Sequence, residues 1–198
     1  MRLYDQYVLP RIIHAVMRDH RLAPYRQRTL AGAEGRVLEI GAGSGVNLPF
    51  YPAHTTDVLG LEPHPKLLAV AALQGLRVVQ GSAEAIPLED ASVDTVVTTW
   101  TLCSIPDAAT ALREMRRVLR PTGKLLFVEH GLAPDSRVQR WQQRMTPLWK
   151  KLAGGCHLDR DIPQLIRAAG FEIHKLDAAH MPGPRPMTFM CEGWARRL

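Results

Sequence analysis

The sequence predicts one α/β domain built on a mostly parallel, doubly wound sheet of seven strands, with an antiparallel strand at the C-terminus and a helical segment at the N-terminus. Two observations support this class. Short apolar runs alternate with stretches of helical spacing along most of the chain, as in β-α units. The first such run, Val37–Ile40, leads into glycines at positions 41, 43 and 45, and a glycine-rich loop after a buried strand is typical of nucleotide-binding sheets.

The loop after the first strand carries an acid and three glycines at defined spacing. Glu39 precedes Gly41 by two residues, and Gly43 and Gly45 follow, which gives E-x-G-x-G-x-G. A dinucleotide site would have G-x-G-x-x-G, and a phosphate loop would need Gly-Lys-Ser/Thr, so neither is supported. The pattern resembles motif I of the Rossmann-like S-adenosylmethionine-dependent methyltransferases. That resemblance implies S-adenosylmethionine as cofactor, S-adenosylhomocysteine as product and methyl transfer as the reaction.

The second predicted strand supplies another acid at an informative distance from the glycine loop. The apolar run Val58–Leu61 leads into Glu62, which lies 21 positions after Gly41 (62 minus 41). An acid about 20 residues from the glycines binds ribose hydroxyls in sheets of this kind, and a carboxylate can accept hydrogen bonds from both hydroxyls. Glu39 and Glu62 together are therefore a more specific signal than either acid alone.

Two further segments are expected to contact the cofactor. A helix should open at Val46–Leu48, with its N-terminal N–H groups directed at the cofactor carboxylate, before Pro49 shortens or interrupts it. The third strand, Arg77–Gln80, leads into Ser82–Glu84, and in the resembling family this turn surrounds the adenine. The full set of expected cofactor-binding residues is Glu39, Gly41, Ala42, Gly43, Gly45, Asn47, Glu62, Pro63, Ser82, Ala83, Glu84 and Thr99.

The middle of the chain predicts the central strands. Val93–Thr99 is almost continuously apolar or β-branched, as a strand buried on both faces should be. A helix over Ala108–Leu119 and the turn V-L-R-P-x-G-K, another signature of the resembling family, lead into a fifth strand at Leu125–Val128. Residues that follow the fourth and fifth strands lie at the carboxyl edge of the sheet, where α/β proteins build their sites.

The C-terminal third predicts two helices and an antiparallel pair of strands. The first helix runs over Ser136–Leu152 with an interruption at Pro147, and a shorter helix ends at Ala169. Phe171–Leu176 and Thr188–Trp194 then alternate as paired strands, joined by a proline-rich linker.

Residues 1–30 are predicted to form a helical lid that belongs to the same domain as the methyltransferase region, residues 31–198. Apolar residues recur there at three- and four-residue spacing, and Pro10 should bend the helix or start its second half. The helix could close over a pocket, contact a membrane surface or pack on the sheet. Because related methyltransferases place substrate-closing elements here, we favour the lid, with Tyr4 and Tyr7 as candidate substrate contacts.

Composition limits the cellular locations and the classes of partner that are expected. With 198 residues, 46% of them hydrophobic and 22% charged, the chain can bury a core. Three cysteines without a C-x-x-C pair indicate neither a disulfide framework nor a zinc site, so no metal is predicted and a reducing, cytoplasmic location is favoured. No apolar run has the ~18 residues of a membrane span, and no leader peptide is expected.

The formal net charge of +6 is spread over scattered arginines without a Lys/Arg run. A solvated basic surface explains this pattern better than a nucleic-acid site does. No nucleic-acid partner and no obligate protein partner are predicted, whereas peripheral membrane contact through the N-terminal helix stays open.

A narrower resemblance extends over most of the chain from Val37 to about Gly170. It is to the animal microsomal thiol S-methyltransferases, which begin with a hydrophobic membrane anchor that is not expected here. The resemblance implies a small thiol as methyl acceptor. The segments that carry it are Leu102-Cys103-Ser104, Glu129-His130, Trp141-Gln142-Gln143 with Pro147 and Trp149, and Gly155-Cys156-His157-Leu158 with Arg160.

The chemistry of thiol methylation limits what the protein must supply. A methyl sulfonium is already electrophilic, so the enzyme mainly aligns the thiol with the methyl group at ~3–3.5 Å. A free thiol with a pKa near ~8.5 is partly ionised at neutral pH, so a strong base is not required. His130 is the first candidate to accept the thiol proton and His157 the second. Alternatively, His130 caps its strand and His157 is an exposed loop residue.

Candidate substrate contacts lie near the predicted carboxyl edge. Trp100, Trp141 and Trp149 could wall an apolar pocket or form a cation cage, although core packing is the alternative for each. Cys103 could contact the substrate, but methyl transfer needs no covalent enzyme intermediate, so it is interpreted as a small buried hydrophobe. The apolar lid and the tryptophans together predict an apolar acceptor.

Two other functions remain open from the sequence. The amphipathic, basic N-terminus would also suit a phospholipid or quinone methyltransferase that acts on N, O or C atoms. A cofactor-binding regulatory protein without turnover is the alternative outside the enzyme class.

Overall fold

The apolar runs of the sequence form one seven-stranded sheet in a computed structural model that describes residues 3–198. Its order is β3-β2-β1-β4-β5-β7-β6, with β1 to β5 parallel and β7 antiparallel to both β5 and β6. The predicted fold class is confirmed. The strands are β1 Gly35–Ile40, β2 Thr55–Glu62, β3 Arg77–Gln80, β4 Val93–Thr99, β5 Leu119–His130, β6 Phe171–His180 and β7 Phe189–Arg197.

Helices cover both faces of this sheet. Alternate residues of each strand point to opposite faces, so Leu38 and Val96 join the core beneath one layer of helices, whereas Val37 and Val97 join the other. The helices are α1 Leu9–Met17, α2 Ala23–Leu30, α3 Pro65–Leu73, α4 Ala108–Val118, α5 Ser136–Leu152, α6 Ile162–Ala168 and α7 Arg185–Thr188. None of them is long and apolar enough to cross a bilayer.

The first part of the N-terminal segment, up to Met17, consists of two consecutive helical pieces, as Pro10 predicts, and a 3₁₀ turn at His20–Leu22 and α2 complete the segment. A π-helical turn spans Tyr4–Val8, and α1 follows with Pro10 in its first turn, where a missing N–H costs nothing. Met1 and Arg2 of the predicted lid lie outside the described residues. The structure therefore places Pro10 at the start of the second helical piece, α1.

Three local predictions are wrong, and each concerns a segment that contains proline. The turn predicted before the fifth strand is part of β5, which begins at Leu119 and pairs with β4 across a register shift. No α-helix opens at Val46–Leu48; one 3₁₀ turn, Leu48–Phe50, takes its place, because Pro49 and Pro52 remove backbone donors within four residues. Conversely, α5 continues through Pro147. Its inner face, with Gln142 and Thr146 fully buried, packs on the domain, and this tertiary packing outweighs the local propensity.

Candidate functional site

The parallel strands β1 to β5 all end at one edge of the sheet, and the predicted site residues lie mainly in the loops beyond that edge. Each strand contributes one short segment. These are the glycine loop after β1, Glu62 and Pro63 at the end of β2, Ser82–Glu84 after β3, Trp100–Ser104 after β4, and His130 at the end of β5.

The glycines of the first loop are required by its geometry. The backbone N–H groups of Gly41 and Ala42 both donate to the carbonyl of Leu61, so the chain turns back across the end of β2. Gly41 has a φ of +64°, and a Cβ there would lie 2.3 Å from a side-chain carbon of Thr101. Gly45 has a φ of +78° and packs against Ala71 of α3. Larger residues would open the loop.

Glu62 is held at the entrance of this loop. Its carboxylate accepts the N–H of Gly43 at 2.9 Å and the N–H of His64 at 2.8 Å, and burial raises its pKa. A carboxylate oxygen has two lone pairs, so both oxygens can still accept hydroxyl protons. The adjacent Pro63 carbonyl accepts from the side chain of Gln80 at 3.3 Å, which links the ends of β2 and β3.

Glu39 is buried completely and faces protein rather than open space. It accepts hydrogen bonds from the Asn47 amide at 2.9 Å and from the Tyr51 hydroxyl at 2.7 Å, and burial raises its pKa to about 7. Asn47 also donates to the Thr99 hydroxyl at 3.0 Å and accepts from Arg26 at 2.7 Å. These bonds fix the glycine loop, and a direct contact between Glu39 and the cofactor stays a prediction.

Arg26 brings an incompletely paired cation to this network. The residue is only 2% exposed, and its Nη2 atom has no hydrogen-bond partner among the described residues. Burial lowers its pKa to about 10, and its guanidinium lies 4.8 Å from the centre of the Trp100 ring. A buried guanidinium with an unused N–H group is suited to a carboxylate, so the residues present fit a ligand with a carboxylate and a ribose.

A cleft of about 300 Å³ lies between α1 and the outer side of the glycine loop. His14 and Arg18 line it on one side and Ser44, Val46 and Phe50 on the other. The His14 Nδ1 atom lies 2.7 Å from the Ser44 hydroxyl, so the N-terminal segment is in direct contact with the loop.

The turn after β3 is organised by its own acid. The Ser82 hydroxyl donates to Glu84 at 3.0 Å, and the other oxygen of Glu84 accepts the N–H of Asp107 at 2.7 Å. Ser82 is exposed and Ala83 is buried. The three residues are placed at the same edge as Glu62, and their contact with adenine stays a prediction.

A second buried acid, Glu129, holds the loop after β4. Its carboxylate accepts the Thr98 hydroxyl at 2.7 Å and the N–H groups of Thr101, Leu102 and Cys103 at 3.1, 3.0 and 3.2 Å. Trp100, at the start of this loop, has a φ of +50°. Such a conformation is strained for a tryptophan and persists only where surrounding bonds enforce it.

Three side chains meet below this loop, and we call Cys103, His130 and Cys156 the sulfur cluster. The two Sγ atoms are 3.5 Å apart, and the Cys156 Sγ lies 3.7 Å from the Nδ1 atom of His130. The interaction between the two thiols lowers the pKa of Cys156 and raises that of Cys103. Leu158 belongs to the same buried cluster as the two cysteines and Trp149 packs against it, so the surroundings are apolar.

Comparisons with known proteins agree with this geometry. A family model described as a methyltransferase domain matches residues 38–127. Thiol S-methyltransferase TMT1B from Homo sapiens is 42% identical over 165 residues, which are 77% of this chain and 67% of that protein. Thiol S-methyltransferase TMT1A from Homo sapiens is 37% identical over 166 residues, or 78% and 67%. The chain belongs to the S-adenosylmethionine-dependent methyltransferases.

The fold of this methyltransferase is shared by solved relatives. A Thermotoga maritima S-adenosylmethionine-dependent methyltransferase, described as a possible histamine N-methyltransferase, has a TM-score of 0.72 at 22% identity, over 98% of this chain and 99% of its own. The methyltransferase spans about two thirds of the length of the curated thiol S-methyltransferases it matches.

Not all predicted substrate contacts are brought to the sulfur cluster. Trp141 is 57% exposed on α5, because its neighbour Gln142 occupies the inward position and Trp141 is turned about 100° away. Trp149, further along the same helix, packs against the cluster formed by Cys103, Cys156 and Leu158. Trp100 points its indole N–H at the sulfur of Met190, 3.4 Å away.

The other candidates have identifiable partners. The Tyr4 hydroxyl donates to the carbonyl of Leu152 at 2.7 Å, and the Tyr7 ring lies 3.4 Å from the ammonium of Lys66 on α3. His157 faces Asp159, with 3.6 Å between Nδ1 and the carboxylate, and burial lowers its pKa. Cys103 is buried as predicted, but beside a second thiol rather than only apolar groups.

Sequence reasoning missed Arg26, Tyr51 and Cys156 as site residues. Arg26 is one of many scattered arginines, and nothing in its local sequence distinguishes a buried one. Cys156 lies in a segment shared with the resembling thiol methyltransferases, and this segment was the one available signal.

Proposed function

We propose that this methyltransferase transfers the methyl group of S-adenosylmethionine to a small, apolar thiol. The observation that carries the proposal is the apolar, sulfur-containing environment of Cys103, directly beyond the loop residue Thr101 that contacts Gly41. An environment of this kind suits a polarisable thiol better than a sugar or a nucleotide. The thiol S-methyltransferases among its relatives support the same acceptor class.

The polar groups around the glycine loop would hold the cofactor. Glu62 would accept the ribose hydroxyls, Arg26 would pair with the carboxylate, and Ser82–Glu84 would border the adenine. Asn47 and Thr99 would contribute by keeping the loop closed, because both bond to the network that anchors it.

The acceptor thiol would lie between the loop after β4 and His130. S-adenosylmethionine supplies a methyl group on a cationic sulfur; the new S–C bond forms as the old one breaks, and the thiol proton must leave. His130 would accept that proton. His157, the residue after Cys156, is the second candidate for this role. Trp100 and Trp149 would keep water from the acceptor.

Residues 1–30 would act as the lid of this domain, with residues 31–198 as its catalytic part. The contacts from His14 to Ser44, from Tyr7 to Lys66 and from Tyr4 to Leu152 support a lid, because they connect the N-terminal segment to the glycine loop, to α3 and to the end of α5. We further propose a cytoplasmic location, which would keep the three cysteines, all free in this structure, reduced.

A second candidate is methylation of a phospholipid or quinone. It is favoured by apolar side chains that remain exposed on the N-terminal segment and α5, beside arginines and lysines of the same helices, and these could contact a membrane surface. The exposed apolar residues are Leu3, Val8, Ile12, Val16, Leu148 and Leu152.

One assay separates these functions. Purified full-length protein is incubated with S-adenosylmethionine and a mixed panel of thiols, amines, phospholipids and quinones, and the products are identified by mass spectrometry. We expect methyl thioethers from small apolar thiols. Methylated lipid or quinone alone would replace the thiol proposal, and cofactor binding without S-adenosylhomocysteine formation would indicate a regulatory protein.

A further inference from the structure

We propose that the sulfur cluster is a binding site for one thiophilic divalent metal ion, with Zn²⁺ as the best-fitting ion. Cys103, His130 and Cys156 each direct one ligand atom to a common point, and these three atoms all lie within 4.8 Å of one another. Two thiolates and an imidazole are a ligand set that zinc prefers.

Two of the three separations between ligand atoms match a tetrahedral site, and the third, between Cys103 and His130, is within 4.8 Å. With Zn–S bonds of ~2.3 Å and Zn–N bonds of ~2.0 Å, two sulfurs of one tetrahedron are about 3.8 Å apart, and a sulfur and a nitrogen are about 3.5 Å apart. The observed separations are 3.5 Å between the sulfurs and 3.7 Å between Cys156 Sγ and His130 Nδ1. An S–S bond would require ~2.05 Å, so the geometry is that of two separate thiols.

Hydrogen bonds hold the two cysteine segments in place without any metal. The Cys103 N–H is bonded to Glu129, and the Cys103 carbonyl accepts the N–H of His157 at 2.8 Å. Gly155 makes this approach possible, since it has a φ of +87° and a Cβ there would lie 3.0 Å from the Ser104 carbonyl oxygen. A site formed in this way loses little conformational entropy when an ion binds.

The environment also suits a metal–thiolate centre. Two thiolates neutralise a divalent cation, so the buried site would carry no net charge from ion and sulfurs together. The indole N–H of Trp149 is buried without a hydrogen-bond partner among the described residues, in the cluster that surrounds Cys156. A metal-bound thiolate is an acceptor for such a donor, and outer contacts of this kind tune metal sites.

Three protein ligands leave a fourth position on a tetrahedral ion. This arrangement is typical of sites that bind a water molecule or an external ligand rather than of closed structural sites. A thiol acceptor is the external ligand with matching softness. With the ion bound, the metal rather than His130 would acidify the thiol, because the imidazole lone pair is then occupied as a ligand. This last step rests on the proposed function, whereas metal binding itself does not.

The test uses the full-length protein with a phosphine reductant, which keeps the cysteines as thiols. Cobalt(II) is titrated as a spectroscopic substitute, followed by Zn²⁺ in competition with a chromogenic chelator. We expect one ion per chain and the intense visible and thiolate charge-transfer absorption of tetrahedral cobalt. Cys103→Ala and Cys156→Ala should each lose this absorption, whereas the matched control Cys191→Ala, at a buried thiol outside the cluster, should keep it.

Thermal unfolding separates loss of binding from loss of folding. Zn²⁺ should raise the Tm of the wild type and of the Cys191→Ala variant, and should leave the Tm of folded Cys103→Ala and Cys156→Ala unchanged. Absence of thiolate–cobalt absorption in the reduced wild type, or its persistence in both cluster variants, would overturn the metal site. Either result leaves the acceptor panel described above as an independent test of methyl transfer.

Discussion

Around β1 and β2, the carboxyl edge of the sheet presents charged oxygen and nitrogen groups, whereas around β4 and β5 it presents sulfur and apolar groups. Glu62 and Arg26 represent the first region, and Cys103 and Cys156 the second. Each region nevertheless depends on one fully buried glutamate, Glu39 in the first and Glu129 in the second.

The two glutamates accept hydrogen bonds from different kinds of donor. Glu39 accepts from side chains, Asn47 and Tyr51, so it connects separate segments around the glycine loop. Glu129 accepts mainly from consecutive backbone N–H groups, so it determines the shape of one loop. The comparison shows that one buried acid can join separate segments through their side chains, whereas another can fix the backbone of a single loop.

The largest expected effect is loss of stability when Glu129 is replaced. Glu129→Ala leaves the buried donors of Thr98, Thr101, Leu102 and Cys103 without their acceptor, and we expect the free energy of unfolding to fall by about 3 kcal/mol or more. Urea unfolding at pH 7 measures this, with Glu34→Ala, at an exposed glutamate paired with a lysine, as the matched control. A loss of about 1 kcal/mol or less would show that Glu129 does not hold the loop.

The second effect is a pH dependence that comes from Glu39. Its pKa is raised by burial from 4.5 to about 7, so between these values the folded protein keeps a proton that the unfolded chain releases. This contribution to stability is complete below pH 4.5 and is lost as the pH rises to about 7, a change of about 3 kcal/mol.

Glu39→Gln should remove this dependence. Unfolding free energies of the wild type and of Glu39→Gln, measured in urea at several pH values between 4.5 and 7.5, should diverge in favour of the variant as the pH rises. Glu34→Gln is the control and should follow the wild type. Parallel curves for Glu39→Gln and the wild type would contradict an abnormal titration of Glu39.

The third effect concerns cofactor affinity. Glu62→Ala removes the charged acceptor proposed for the ribose hydroxyls, so the Kd for S-adenosylhomocysteine should rise by about 10- to 100-fold in calorimetry. Glu89→Ala, at an exposed loop glutamate, is the matched control and should bind as the wild type does. Equal affinity of Glu62→Ala and the control would place the ribose elsewhere.

The smallest effect is expected at the acceptor edge. His130→Ala should lower turnover with a small thiol by about tenfold, because thiols are partly ionised without a base, and it should leave the Kd for S-adenosylhomocysteine unchanged. His157→Ala is the comparison and should cost less, since its imidazole faces Asp159. Full turnover in His130→Ala would remove this residue from the reaction.

The sequence could predict those features of the fold and the candidate site that depend on local patterns. Val93–Thr99 is a strand with the bounds expected from its apolar pattern, and Glu62 lies where its spacing from Gly41 predicts, because both signals are local. The turn at Leu48–Phe50 was mispredicted because prolines overrode a family pattern. Arg26 gave no signal, since its burial depends on how the N-terminal segment docks.

The sulfur cluster could not be predicted from local sequence patterns. Cys103, His130 and Cys156 come from three segments separated by helices and strands, so no fixed spacing between them exists to be recognised. Only the tertiary fold, with β4 beside β5 and the end of α5 beneath both, places the three side chains together.

We propose that the carboxyl edge of the sheet holds the cofactor around β1 and β2 and the acceptor around β4 and β5. The most direct test is a crystal structure of the protein with S-adenosylhomocysteine and a small aromatic thiol. We expect the ribose hydroxyls within hydrogen-bonding distance of Glu62, the carboxylate beside Arg26, and the thiol sulfur between the loop after β4 and His130. A nucleoside bound away from Glu62, or a thiol bound outside the region of Cys103 and His130, would contradict this account.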